Sequence, residues 1–226
     1  IAMTKLTMSD KYKQSGLLDE LTLGKSTPYR SQYTPSLLQG VPRSLNRDDL
    51  NLKDTLPFLG EDLWTGYEIS WLNNKGKPIV AIGEFRVPAT SHNLIESKSF
   101  KLYLNSFNQT RFESWETVRH HMIKDLSRCA GEDVEVSLYT VDEIDAFQIT
   151  PLPGINLDGI DIDVNDYQFN PGHLALDKEP KEVTETLHSH LLKSNCLITS
   201  QPDWASVVIE YTGPKIDRAA LLQYLI

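Results

Sequence analysis

Residues 64–72 (WTGYEISWL), 73–77 (NNKGK) and 79–87 (IVAIGEFRV) decide how this chain is read. In 64–72 apolar and polar side chains alternate, with Trp64, Gly66, Glu68 and Ser70 on one parity and Tyr67, Ile69 and Trp71 on the other. A period of two predicts a strand with one face in a core. Residues 79–87 are rich in β-branched side chains, include Phe85, and predict a second strand. The residues between them supply turn chemistry, so the stretch reads as an antiparallel hairpin with a five-residue loop.

After Pro88 the period becomes helical. In 94–108, LIESKSFKLYLNSFN, the side chains of Phe100, Tyr103, Leu104 and Phe107 recur at helical spacing, and Lys98 and Lys101 share the other side. A second helix is predicted from Ser114, a capping residue, to Ala130, with Trp115, Val118, Met122 and Leu126 as its apolar stripe and Gly131 as its stop. His120 and His121 fall off that stripe and read as surface residues. Residues 134–141 and 147–150 read as two more strands, which makes the first unit β-β-α-α-β-β. The fold class expected is α+β.

Ahead of the hairpin, residues 1–60 read as an arm broken by Pro28, Pro35, Pro42 and Pro57. Arg43, Arg47, Asp48 and Asp49 in that arm read as a solvated ion-pair cluster, with contact to a partner or ligand as the alternative. The expected division is an arm over 1–60, a first unit over 61–165, a linker over 166–184 and a second unit over 185–226. Asp158, Asp161, Asp163 and Asp166 resemble a calcium loop, but the EF-hand spacing and closing Glu are absent. The alternation of Ile160, Ile162 and Val164 suggests a short edge strand instead. His188 and His190 share a strand face without a third ligand at zinc spacing. No metal is expected.

The second unit opens with a strand leading to Cys196, a turn at 200–203, and a returning strand over 206–211. The sequence from 82 to 85, IGEF, followed by Pro88, has a counterpart in 208–211, VIEY, followed by Pro214. This weak repeat predicts a second β-β-α-α-β-β unit. The chain stops at Ile226, inside what that repeat makes its first helix, so further native sequence is expected beyond it.

The composition narrows the function. A formal charge of −9 opposes general nucleic-acid binding, which relies on Lys and Arg at phosphates. No run of 18 apolar residues occurs, so no membrane span is expected. Thr4 to Asp19 is polar and does not read as a signal segment. Cys129 and Cys196 make no CxxC pair, which fits a reducing cytosol. Two places could carry chemistry. Cys196 is a potential nucleophile once its thiolate is favoured, and Asp203, between Pro202 and Trp204, could hold a proton if apolar neighbours such as Trp204 raise its pKa. A buried structural cysteine and a turn-forming Pro-Asp remain the alternative. At 95–101, cations in the first turns of a helix oppose its dipole unless an anion such as phosphate sits there. Glu96 is an acceptor suited to a guanine-like edge, and an ordinary amphipathic helix is the alternative. No GxGxxG or Walker loop occurs.

Residues 96–103, ESKSFKLY, resemble the signature of the NADPH-dependent 7-cyano-7-deazaguanine reductases of queuosine biosynthesis. Residues 196–199, CLIT, and 201–204, QPDW, resemble that family's active-site segment, and the order of the two motifs is that of its long, two-domain form. The resemblance extends over most of the chain, including residues 23–47. It implies tandem tunnelling-fold (T-fold) units, each an antiparallel sheet with two helices on one face. It implies reduction of a nitrile to an amine, with Cys196 forming a thioimide, Asp203 donating a proton, and NADPH delivering hydride twice through a held imine. Ile95, Glu96 and Ser97 would contact the deazaguanine, and Ser97 and Lys98 the NADPH, with Lys101 a weaker contact. The signature and the cysteine fall in different units, so the resemblance also implies a site between units or subunits, and a homodimer in the cytoplasm. The family's His-Glu pair for gripping the base would lie beyond Ile226. The rival readings are a non-catalytic purine- or pterin-binding T-fold module and a cyclohydrolase relative, which would need a zinc ligand set not found here.

Overall fold

The computed structural model describes residues 28–50, 52, 55–143, 148–195 and 201–226, with Asp49 described in its backbone only. The chain divides into two compact units, residues 1–148 and 149–226.

In the first unit β2 (Glu61–Leu72) pairs antiparallel with β3 (Pro78–Pro88), and β3 with β5 (Glu135–Tyr139), giving the order β2-β3-β5. The turn between β2 and β3 is the expected one. Asn73 Oδ1 accepts the N–H groups of Lys75 and Lys77, and Gly76 sits at φ 82°, a conformation that favours glycine. Two helices follow β3. α2 (Ser97–Asn105) starts at Glu96, later than the periodicity suggested, and α3 (Trp115–Ala130) has the expected bounds. Ser114 Oγ caps α3 by accepting the Thr117 N–H, and Gly131 ends it in the left-handed region at φ 73°. Phe100 and Tyr103 of α2, with Val118, Met122 and Leu126 of α3, pack in one cluster with Ile69, Trp71, Phe85, Val87 and Val136 of the sheet. Both helices therefore cover the same face. Burying each such large side chain contributes roughly 2 kcal/mol, enough for this cluster to dominate the unit's stability.

Several expectations need correction. β2 contains a bulge between Gly66 and Ile69, so the parity of the strand changes midway. Trp64 packs on the core cluster, Tyr67 is exposed, and Ile69 and Trp71 are buried; the single alternation read from sequence placed Tyr67 with the last two. No strand forms over 148–150, where Ile149 is fully exposed, while 144–147 lie outside the described residues. His121 is half-buried with its ring edge-on to Tyr33 and Phe112, because Tyr33 of the arm folds against α3. Arg43 is buried and pairs with Asp62 of β2 at 2.5 Å, donating also to Ser91 Oγ; it belongs to no solvated cluster.

In the second unit β7 (Glu182–Asn195) pairs antiparallel with β8 (Pro202–Pro214), and β6 (Ile155–Asn156) pairs parallel with β7. α4 (Arg218–Leu225) follows, capped by Asp217. Leu157, Leu187, Leu221, Leu222 and Leu225 form the core of this unit. Residues 149–165, read from sequence as part of the first unit, group with the second because β6 adds to β7 and Leu157 packs beside Leu187. The edge strand falls at β6 rather than through Val164, since Ile160 and Ile162 turn onto the core without pairing. β7 also starts earlier than Glu185. Its bulge lies between Ser189 and Leu192. The two hairpins match when Gly83 is set against Val207, two residues out of step with the repeat read from Glu84 and Glu210; an even slip keeps each side chain on its face.

Candidate active site

The signature lies where the arm, β4 (Asn93–Ile95) and α2 meet. β1 (Gly40–Pro42) pairs antiparallel with β4, Gly40 opposite Ile95. A side chain at position 40 would strike Asn93, with Nδ2 at 2.9 Å from its Cβ, so this close approach needs glycine. Gln39 then holds the start of α2 from both sides: its C=O accepts the Glu96 N–H at 2.9 Å and its N–H donates to Ser99 Oγ at 3.1 Å. The Arg43 N–H donates to the His92 carbonyl at 3.0 Å.

Glu96 is the N-cap of α2. Its carboxylate accepts the Lys98 N–H at 2.8 Å and the Ser99 N–H at 2.6 Å. It is buried, and a carboxylate at the positive end of a helix is favoured there. Each of its oxygens keeps a further lone pair. Ile95 is buried in the core cluster, so only its main chain is available to a ligand. Ser97 is exposed, Lys98 is half-buried and Lys101 is exposed. Ser97 and Lys101 line a cleft of about 510 Å³ between α2 and the outer strand β2. Trp64, Phe85 and Phe100 give it an aromatic floor, and Glu68 and Asn105 add polar groups. That volume lies within the usual range for small-molecule sites, roughly 300–1,000 Å³. The Ser97 hydroxyl and the Lys101 ammonium suit phosphate, and an aromatic floor suits a planar ring, so the cleft residues fit part of a phosphate-bearing dinucleotide such as NADPH.

Sequence reading missed the cleft wall on β2. Gly66 inside a strand pattern was its available signal, since such a glycine marks a bulge. The anchoring role of Gln39 had none, because it acts through main-chain atoms.

In the second unit Asp203 stands opposite Ser194 near the end of the hairpin and is exposed. Trp204 turns to the other face of β8, where the Lys193 ammonium lies 5.9 Å from its ring centroid. Trp204 therefore does not enclose the Asp203 carboxyl within this unit, as the sequence reading required. Cys196 follows Asn195 in sequence and lies outside the described residues. Cys129 is the other thiol; burial pushes it up to about 11. His188 Nδ1 lies 2.8 Å from the Pro153 carbonyl oxygen, and the two histidine rings meet edge-on. Among the described residues no group of three or more His, Cys, Asp or Glu side chains could hold a metal ion. No helix among them is long and apolar enough to cross a membrane.

An antiparallel sheet covered on one face by two helices, with a cation-bearing helix start beside a cleft at its outer strand, defines an α+β unit of the T-fold type. Residues 29–138 match the model of the family described as nitrile reductase, 7-cyano-7-deazaguanine-reductase N-term. Residues 29–138, with the signature at 96–103 among them, are similar to the N-terminal domain of that nitrile reductase family.

Proposed function

We propose that the protein reduces the nitrile of 7-cyano-7-deazaguanine to the 7-aminomethyl group with NADPH, as a step of queuosine biosynthesis. One observation carries this reading: within the stretch that matches the family, the arm and Glu96 together fix the start of α2, where Ser97 and Lys101 line an aromatic-floored cleft and Lys98 follows Ser97 half-buried. Ile95, through its main chain, and Glu96 and Ser97 contact the deazaguanine. Ser97 and Lys98 hold the cofactor phosphates.

The covalent chemistry belongs to the second unit. The Cys196 thiolate adds to the nitrile carbon; the C–S bond forms, one C–N π bond breaks, and the nitrogen takes a proton from the Asp203 carboxyl. The resulting thioimide is a better electrophile than a nitrile. NADPH, when bound, supplies two hydrides in succession. Cys196 leaves as thiolate between them, and the imine stays in a site closed to water, which prevents its hydrolysis. Asp203 regains protons from solvent and delivers them to nitrogen. A homodimer and a cytoplasmic location belong to the same proposal.

The test is NADPH oxidation followed by absorbance with 7-cyano-7-deazaguanine as the variable substrate. The expected result is two NADPH consumed per nitrile, with loss on the order of 10⁴-fold or more in Cys196→Ala. Tight substrate binding without NADPH consumption would instead favour a non-catalytic binding module.

A further inference from the structure

The acidic connection ahead of β7 is absorbed by neither the proposed reaction nor a metal site. Asp158 has a different use. β7 carries an extra residue, so His190 and Leu191 together face Ser206. An extra residue in a ladder leaves backbone donors without a cross-strand partner. Here they are met from the side. The Asp158 carboxylate accepts the His190 N–H, which lies 3.1 Å and 3.3 Å from its two oxygens. It also accepts the Ser189 hydroxyl at 2.7 Å, and that hydroxyl oxygen accepts the Leu191 N–H at 3.1 Å. On the facing strand, His190 Nδ1 lies 2.7 Å from Ser206 Oγ.

Asp158 is itself fixed. Its N–H donates to Asn156 Oδ1 at 2.7 Å, and the neighbouring Leu157 N–H donates to the His188 carbonyl at 2.9 Å. Leu157 is fully buried against the core of the unit. Burial works against ionisation of Asp158, but the hydrogen bonds from Ser189 and the His190 N–H, together with the nearby His190 and His188 side chains, hold the carboxyl below its usual range.

Beyond the bulge lie four ladder pairs, from Leu192 opposite Ala205 to Asn195 opposite Pro202. They carry Asp203, and the chain runs from Asn195 directly into Cys196. A bulge bends and twists its strand, so whatever closes it sets the direction in which these last pairs leave the sheet. We infer that Asp158, acting through Ser189 and the His190 N–H, is a positioning residue that fixes the outer β7–β8 hairpin and with it Asp203 and the approach to Cys196. The consequence for catalysis rests on the proposed reaction; the effect on the hairpin does not.

The experiment compares the full chain with Asp158→Asn, Asp158→Ala and Ser189→Ala by two readouts. The first is amide hydrogen exchange. Exchange over 190–195 and 202–206 is expected to accelerate by about tenfold or more, with 182–188 and the first unit unchanged. The second is formation of a covalent adduct with 7-cyano-7-deazaguanine without NADPH, followed by intact mass. At saturating substrate its rate is expected to fall on the order of 10²-fold, as for a misplaced reacting group, with substrate affinity little changed. Unchanged exchange and an unchanged adduct rate in folded Asp158→Ala would overturn the inference. Exchange that rises throughout β7, β8 and α4 would also overturn it, since Asp158 would then be a general support of the fold. A wild-type protein that forms no adduct while the variants show the local exchange change would remove the nitrile chemistry and leave the positioning role standing.

Discussion

In β2 the extra residue falls between Gly66 and Ile69; in β7 it falls between Ser189 and Leu192, and each time four ladder pairs lie beyond it. The returning strand opens on proline in both, Pro78 and Pro202. The means of closure differ. In the first hairpin the facing glycines Gly66 and Gly83 leave room into which the Ile69 and Phe85 side chains fold. In the second, a carboxylate and a hydroxyl satisfy the freed N–H groups. One backbone irregularity can therefore be stabilised by apolar packing or by a polar plug. The apolar version borders the cleft beside Ser97 and Lys101, and the polar version stands at the root of the hairpin leading to Cys196.

The largest effect is expected from filling the apolar bulge. A Cβ at Gly83 would lie 2.4 Å from Ile69 Cδ1 and 3.0 Å from Phe85 Cζ. Gly83→Val is expected to destabilise the first unit by about 3 kcal/mol, read by denaturant unfolding. The equivalent position in the second hairpin is already Val207, which shows that only the first bulge depends on glycine.

The two thiols compare the units next. Burial raises Cys129 to about 11, so near pH 8 its thiolate is scarcer than that of an ordinary cysteine by about 100-fold. Iodoacetamide should modify Cys196 far faster than Cys129, by peptide mass mapping, and substrate should protect Cys196 alone. Because the folded pKa of Cys129 is raised, its contribution to stability is complete below the ordinary thiol range and is lost as pH rises through about 11. Equal modification of the two thiols in folded protein would count against this contrast.

Removing the polar plug comes third. Asp158→Ala is expected to lower the opening free energy of the outer β7–β8 hairpin by about 1–2 kcal/mol, read by amide exchange over 190–195 and 202–206, and to leave the unfolding of the first unit unchanged. Smallest are the two helix caps. Glu96 accepts the Lys98 and Ser99 N–H groups, and Asp217 accepts those of Ala219 and Ala220. Replacing either by Ala should cost about 1 kcal/mol in thermal unfolding. Glu96→Ala should also abolish turnover, whereas Asp217→Ala should not; equal loss of turnover in both would reduce Glu96 to a cap.

What was legible in the sequence followed from local rules. The first hairpin, its turn at 73–77 and the bounds of α3 rest on period, turn residues and capping residues, all within a few positions of one another. The bulges were not legible as such, because a period-two reading continues through an inserted residue and only Gly66 hinted at it. Arg43, Tyr33 and Asp158 were misplaced or left without a role for a common reason. Their partners, Asp62, Asp125 and Ser189, are brought to them by tertiary pairing. At the site, the signature residues were legible through resemblance, while the grip of Gln39 on α2 runs through backbone atoms that any residue supplies.

The most direct measurement is the intact mass of the protein mixed with 7-cyano-7-deazaguanine in the absence of NADPH. The account predicts a gain equal to one substrate, absent from Cys196→Ala and present in Cys129→Ala. Folded, reduced protein that shows no gain at saturating substrate would contradict it and remove Cys196 as the nucleophile.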